Sequence, residues 1–329
     1  MRFDKLKRRE FITLLGSAAA WPIAARAQQA KVPVVGFMGA ASESGMSTRV
    51  EGFRLGLREL GYVEGTNIVV AYRWADENYD RLAELATELV RANVDVIVTH
   101  GTPGSLAAKR ATATIPVVMA IIGDPVAAGV VASLARPGGN ITGQSFFAPE
   151  LNAKRIELLK VLMPQLTRVA TLMNPDNPIN GPVVQTMEMT ARSLRVGLQQ
   201  FLVRAPSEFA KAFERMEQER IEAVTVDDEA MLATNIGAIA ALATKHRLVS
   251  AGDRQLALSG GLIGHGEDFV ATYRRAAVFV DKILKGAKPA DIPIEQAAKF
   301  EFILNLKAAK ALGVDVPPIM LVRADQVIE

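Results

Sequence analysis

Val94-Asp95-Val96-Ile97-Val98-Thr99, running into His100-Gly101-Thr102-Pro103-Gly104-Ser105, decides how this chain folds. A short apolar run rich in valine and isoleucine ends in a loop of glycine, proline and small hydroxyl residues. Such a run, without polar alternation, is what a parallel strand covered on both faces requires. The preceding stretch, Leu82 to Ala92, carries apolar residues at helical spacing and is stopped by Asn93. Helix, buried strand and polar loop in succession make the rhythm of an open α/β sheet. The rhythm recurs where Ile221-Glu222-Ala223-Val224-Thr225 follows a helical pattern ending near Glu219 and leads into Asp227-Asp228-Glu229.

Working outward, the same reasoning predicts strands over 32–38, 68–73, 117–122 and 141–145, and then over 168–173, 198–203, 223–226 and 248–251. Thr48-Arg49-Val50-Glu51 reads as a capping box before Phe53, Leu55, Leu57 and Leu60, with Gly61 as the stop. The fold class is therefore α/β, with two doubly wound parallel-sheet lobes of similar build. Two unrelated α/β domains in tandem would give the same pattern.

The chain opens on Lys7-Arg8-Arg9-Glu10-Phe11-Ile12-Thr13, a paired arginine before an apolar run that ends in Ala25-Arg26-Ala27. A basic front, an apolar middle and a small-x-small end are the marks of an export signal, and the paired arginine points to the twin-arginine route. Residues 1–27 are expected to be a signal peptide cleaved near Ala27, which places the mature protein in the periplasm. The apolar run is short of the roughly 20 residues needed to span a bilayer. The whole chain is formally +3, but residues 1–27 hold six basic and two acidic residues, so the remainder is −1, from 32 against 33. That leaves no basic surplus for nucleic acid. With no cysteine, disulfides and thiolate metal sites are excluded, and the fold has to rest on its core.

In open α/β sheets, ligands sit beyond the carboxyl ends of the strands. The loops there are Gly39 to Ser47, His100 to Ser105, Gly123-Asp124-Pro125, Asn174 to Pro178, Asp227 to Glu229 and Gly252-Asp253-Arg254. Thr102 and Ser105 stand at a helix start, which favours an anion such as a carboxylate. Asp124, Asp227 and Asp253 could pair with an ammonium group, so the set suits a zwitterion. Each is equally an ordinary N-cap. Asp227-Asp228-Glu229 reads as a solvated acidic turn. Enzymatic constellations are poor: His100, His246 and His265 lack metal-ligand spacing, and Gly143-Gln144-Ser145-Phe146 fails the nucleophile elbow at its last position. No phosphate loop or dinucleotide fingerprint is present. No cofactor, metal or catalytic residue is expected.

Gly123-Asp124-Pro125-Val126, with Ser133-Leu134-Ala135-Arg136-Pro137-Gly138-Gly139-Asn140-Ile141-Thr142-Gly143, resembles a hallmark of the ABC transporter substrate-binding proteins related to the tryptophan/tyrosine uptake receptors. Ile283 to Pro293, Asn305 to Gly313 and Arg323-Ala324-Asp325 are similar to the same family. The resemblance implies a type I periplasmic-binding-protein fold, two lobes joined by a three-segment hinge near 142–150, 264–273 and 295–305. Lobe 1 would comprise 28–144 and 273–297, lobe 2 would comprise 145–272, and 298–329 would be the hinge return and C-terminal segment. It further implies a monomeric periplasmic receptor that captures an amino acid or related carboxylate by hinge closure and hands it to an ABC permease in the inner membrane. Carried over residue by residue, the ligand would meet Ala40, Thr102, Pro103, Ser105, Asp124, Pro125, Asn174, Asn177, Asp227 and Asp253. The loop from Gly39 to Ser44 lacks an aromatic wall, which argues against a tryptophan-sized ligand. A ligand-sensing subunit for a membrane kinase shares this fold, and an exported enzyme would need a constellation that the sequence lacks.

Overall fold

A computed structural model describes residues 32–296 and 299–329; the signal segment read over 1–27 lies outside them. The first half of the chain forms β1 (Val34–Gly39), α1 (Glu43–Glu59), β2 (Val69–Trp74), α2 (Leu82–Arg91), β3 (Val96–Thr99), α3 (Gly101–Ala111), β4 (Val117–Ile122) and β5 (Ile141–Ser145). The second half continues with α4 (Ala148–Leu162), β6 (Arg168–Met173), α5 (Asn180–Ser193), β7 (Gly197–Leu202), α6 (Phe209–Gln218) and β8 (Ala223–Val226). Then come α7 (Ala230–Thr234), α8 (Ile236–Lys245), β9 (Val249–Gly252), α9 (Arg254–Leu258), β10 (Ile263–Gly266) and α10 (Phe269–Leu284). The chain closes with β11 (Glu295–Gln296), β12 (Glu301–Asn305), α11 (Leu306–Leu312), α12 (Pro318–Arg323) and β13 (Gln326–Ile328).

These strands build two sheets, ordered β11-β5-β4-β3-β1-β2 and β13-β12-β10-β9-β8-β6-β7. Every pairing is parallel except β10 with β12. Central strands such as β3 and β4 are buried along their whole length, as their unbroken apolar runs require. Two of the four edge strands, β2 and β7, leave a large apolar residue to solvent, Val69 and Leu202.

Between the sheets the chain passes three times. It leaves the first sheet after Ser145, returns after Gly266 through α10, and leaves again after Gln296 to form β12. Arg254 braces the hinge from the second lobe, its guanidinium 2.6 Å from Asp268 and 2.9 Å from Glu301. Beyond residue 299 the chain adds β12 and β13, with α11 and α12, to the second sheet.

Local chemistry sets the start of two helices. The first helix begins at Glu43, not at Thr48: Ser42 is the N-cap and its Oγ accepts from the Gly45 N–H. The Thr48 box therefore lies inside the helix, because a cap nearer the strand was available. Likewise α10 starts at Phe269, where Asp268 accepts from the N–H groups of Val270 and Ala271.

Helices α1 and α10 make the closest helix–helix contact of the first lobe, and two glycines allow it. A Cβ placed on Gly52 would lie 2.6 Å from the Val270 carbonyl oxygen, and one on Gly56 would lie 2.2 Å from that of Arg274. In an exposed helix, alanine is about 1 kcal/mol better than glycine; here the clash with backbone reverses the sign. Gly56→Ala should destabilise the protein by about 2 kcal/mol or more, read as a lower urea midpoint. An unchanged or raised midpoint would show that the two helices do not pack this closely.

Candidate functional site

A cavity lies between the lobes, over the carboxyl ends of both sheets. About 650 Å³ of space outside the atoms, the open solvent of its mouth included, lies there. From the first lobe, Ala40 after β1, His100 to Pro103 after β3, and Ile121 and Gly123 at the end of β4 form its floor. From the second, Asn177, Ile179 and Asp227 to Ala230 form its roof, and Arg49, Phe146, Phe269 and Tyr273 complete the walls.

The roof depends on Arg155 of α4, whose side chain is fully buried. Its Nη2 donates to both carboxylate oxygens of Asp228, at 2.8 and 2.9 Å, and to the His265 carbonyl at 2.8 Å. Nη1 donates to the Val226 carbonyl at 3.0 Å and to Asn152 Oδ1 at 3.2 Å. Asn152, one turn earlier on the same face, donates from Nδ2 to Asp227 Oδ1 at 3.0 Å. The second oxygen of Asp227 is buried with no partner among the described residues. Burial pushes the Asp227 carboxyl above the usual range, against the pull of the Arg155 charge and the Asn152 hydrogen bond.

Its neighbours are equally desolvated. Burial raises Asp228, against the opposing pull of Arg155. Glu229 is pushed up to about 7 by burial, although its side chain accepts from the Leu232 N–H at 3.1 Å and caps α7. The segment 227–229 is thus not a solvated acidic turn. The second lobe folds over it, and Arg155 compensates its charge from a helix distant in sequence.

The floor is built differently. His100 occupies the N-cap position of α3 without capping it, so the first-turn N–H groups of Gly101 and Thr102 have no side-chain partner. Its Nε2 instead accepts from the Ala40 N–H at 3.0 Å. Burial, aided by the nearby Arg49 charge, lowers the imidazole to about 3, so it is neutral near pH 7. Arg49 stacks over Phe269, 5.6 Å from the ring centroid. The floor thus presents positive charge and donors, while the roof presents carboxylate.

Of the residues expected from sequence to meet a ligand, Ala40, Thr102, Pro103, Asn177 and Asp227 line the cavity. The other five do not, and each has a structural reason. Ser105 turns back to donate to the Gly101 carbonyl at 2.7 Å. Asp124 accepts from the N–H groups of Val126 and Ala127, both at 2.9 Å, in a turn in which the Pro125 carbonyl accepts from Val130 N–H. Asp253 caps α9 through the Leu256 N–H at 3.1 Å. Asn174 donates to Glu229 at 3.3 Å and lines a neighbouring groove with Tyr79 and Asp176. His265 also lies away from the cavity, beside Phe300 and Phe302.

The aromatic wall missing from the first loop comes from elsewhere: Tyr79, Phe146, Phe269 and Tyr273 all line the cavity. The argument against a tryptophan-sized ligand therefore falls. Sequence reading missed Arg49, Arg155 and these rings because they sit on helices and crossings, not on loops after strands. One signal was available: Asn152 and Arg155 fall on a helix face otherwise occupied by Ile156 and Leu159. Among the described residues, no group of three or more His, Cys, Asp or Glu side chains is placed to hold a metal ion.

With the geometry in hand, comparison with known proteins is informative. A family model described as ABC transporter substrate binding protein matches residues 23–328. The tyrosine-binding protein of Clostridioides difficile (strain R20291) is 26% identical over 263 residues, 80% of this chain and 75% of that protein. A conserved domain protein from Vibrio cholerae superposes with a TM-score of 0.84 at 25% identity, covering 90% of this chain and 100% of the other. An ABC domain from Streptococcus pneumoniae, solved in complex with L-Trp, gives 0.81 at 26% identity, covering 89% and 100%. The two α/β lobes are those of a type I periplasmic binding protein, as the sequence motifs implied.

Because Arg155 is the buried cation beside Asp228, removing it should be costly. Arg155→Met is expected to lose about 3–5 kcal/mol in urea unfolding. The double variant Arg155→Met/Asp228→Leu should recover a large part of that loss. Equal losses in the single and double variants would mean that the pair is not coupled as described.

Proposed function

The chain belongs to the ABC transporter substrate binding protein family, and from that premise we propose that it is a periplasmic receptor that captures an amino acid for an ABC importer. The ligand's ammonium group goes to Asp227, whose buried Oδ2 has no other partner. Its carboxylate goes to the first turn of α3, where Thr102 and uncapped backbone N–H groups meet it with the helix dipole behind them. Tyr79, Phe146 and Phe269 accommodate the side chain. The single observation that carries this reading is the polarity of the cavity, carboxylate on one lobe and donors on the other. Only a molecule bearing both signs satisfies both walls at once.

Two relatives support an aromatic amino acid as the ligand: one is named a tyrosine-binding protein and the other was solved with L-Trp. The mechanism is hinge closure. A ligand touching both lobes selects the closed arrangement by its differential affinity for it. The closed, liganded monomer is then what a permease in the inner membrane recognises. Catalysis has no part in this reading.

L-Tyrosine or L-tryptophan at one hundred times its Kd should stabilise the protein by about 2.7 kcal/mol, visible as a rise in melting temperature. Asp227→Asn keeps the Asn152 contact and removes the charge. It should weaken binding by about tenfold or more, the equivalent of roughly 1.4 kcal/mol, with little change in the melting temperature of the unliganded protein. Unchanged affinity in that variant would remove the ammonium assignment.

Closure has its own test. Gly45, in the first turn of α1, faces Thr234 of the other lobe, and a Cβ there would lie 3.2 Å from Thr234 Cβ. Gly45→Leu should prop the lobes apart and weaken binding, leaving the fold intact by circular dichroism. Small-angle scattering with saturating ligand should show a more extended particle than the wild type. Identical scattering and affinity would exclude closure at this contact.

A further inference from the structure

Three groups lining the cavity have donors that the protein does not use. His100, 5% exposed, accepts from the Ala40 N–H at Nε2. A backbone N–H can only donate, so the proton of the neutral ring is on Nδ1. That Nδ1–H meets no acceptor among the described residues. Tyr273 of α10, 1% exposed, lies beside it with ring centroids 5.8 Å apart, and its hydroxyl is buried without a partner. Arg49, on the facing helix, makes no ion pair within 4 Å among the described residues; it meets the Met46 sulfur and the Phe269 ring, and its charge also acts on the buried Asp253 carboxyl. Two of the other three tyrosines, both away from the cavity, behave differently. Tyr62 donates to Asp281 at 3.0 Å, and Tyr72 meets Arg54 and Glu64.

A buried donor left unpaired costs about 1–3 kcal/mol. Here one such donor, the Tyr273 hydroxyl, lines the same cavity as the His100 Nδ1–H and the Arg49 guanidinium, and no hydrogen-bond acceptor among the described residues takes either of the first two. The complement of that arrangement is an oxygen with lone pairs. A hydrocarbon placed there would leave both donors unsatisfied, and rejection of this kind is far stronger than a pocket achieves by size alone.

We infer that His100 and Tyr273 are specificity-determining residues that bind an oxygen acceptor, a hydroxyl or a carboxylate, at the end of the ligand's side chain. Arg49 favours the acceptor further when it carries charge. The inference rests on the amino-acid reading above and narrows it to amino acids whose side chains end in oxygen.

Calorimetric titration of the purified full-length protein with two matched pairs tests it: L-tyrosine against L-phenylalanine for the hydroxyl, and L-glutamate against L-norvaline for the carboxylate. In the wild type, the oxygen-bearing member of one pair should bind at least about tenfold more tightly than its partner, and which pair does so identifies the acceptor. Tyr273→Phe keeps the ring, and His100→Gln keeps an acceptor for Ala40. Each should bring that ratio down to about threefold or less by weakening the oxygen-bearing member alone. Asp227→Asn should weaken both members alike and preserve the ratio. Should His100→Gln fail to fold, Tyr273→Phe decides. Equal binding within both pairs, or a ratio that survives Tyr273→Phe, overturns the inference and leaves the receptor reading in place. Absence of binding by all four probes instead overturns the amino-acid reading, and this inference with it.

Discussion

The guanidinium of Arg155 holds the second lobe's half of the cavity together. It reaches the end of β8 through the Val226 carbonyl, the end of β10 through the His265 carbonyl, and the adjacent Asp228 carboxylate. A buried cation with these partners fixes both strand ends relative to α4. It also sets the orientation of Asn152, and through it that of Asp227. Desolvating several carboxylates in one place is unfavourable without such a group. The roof of the cavity is therefore an electrostatic construction first and a shape second.

The floor follows from the opposite circumstance. Strand β3 runs directly into α3, and the side chain at the cap position turns away to serve Ala40 instead of the helix. The helix start is left with free N–H groups, and Arg49 adds charge from α1. Two parallel sheets presenting their carboxyl ends to each other would by themselves make two similar surfaces. Their polarity differs here because one is lined by carboxylates at the end of β8 and the other by a helix start and a guanidinium. A single apolar cluster running through Phe146, Ala148 and Ile179 joins the lobes beneath that cavity.

Much of the fold could be read directly. Val96 to Thr99, Val117 to Ile122 and Val169 to Met173 carry no charged residue and read as buried strands, and the structure places buried strand residues there. Strand β10, Ile263–Gly266, carries only a weak signature, since two glycines and a histidine break its apolar run, although His265 reads as a strand end. Strand β12, Glu301–Asn305, resembled a connecting segment because its partner β10 lies far back along the chain. Among the loop residues, sequence could not separate Asp227 from Asp124 and Asp253. All three are aspartates after strands, and whether a carboxylate caps its own helix or faces a cavity depends on neighbours from other elements.

What the sequence determined alone was the alternation of buried strands and amphipathic helices, the two-lobed plan and the family, because these depend on local periodicity and contiguous motifs. What the tertiary structure alone decided was which polar groups are left without partners. Asp227, His100 and Tyr273 are separated by long stretches of chain, and each would be an ordinary solvated or capping residue in isolation. Packing removes water from all three and withholds an internal partner from one atom of each, and that long-range event turns common side chains into a binding surface.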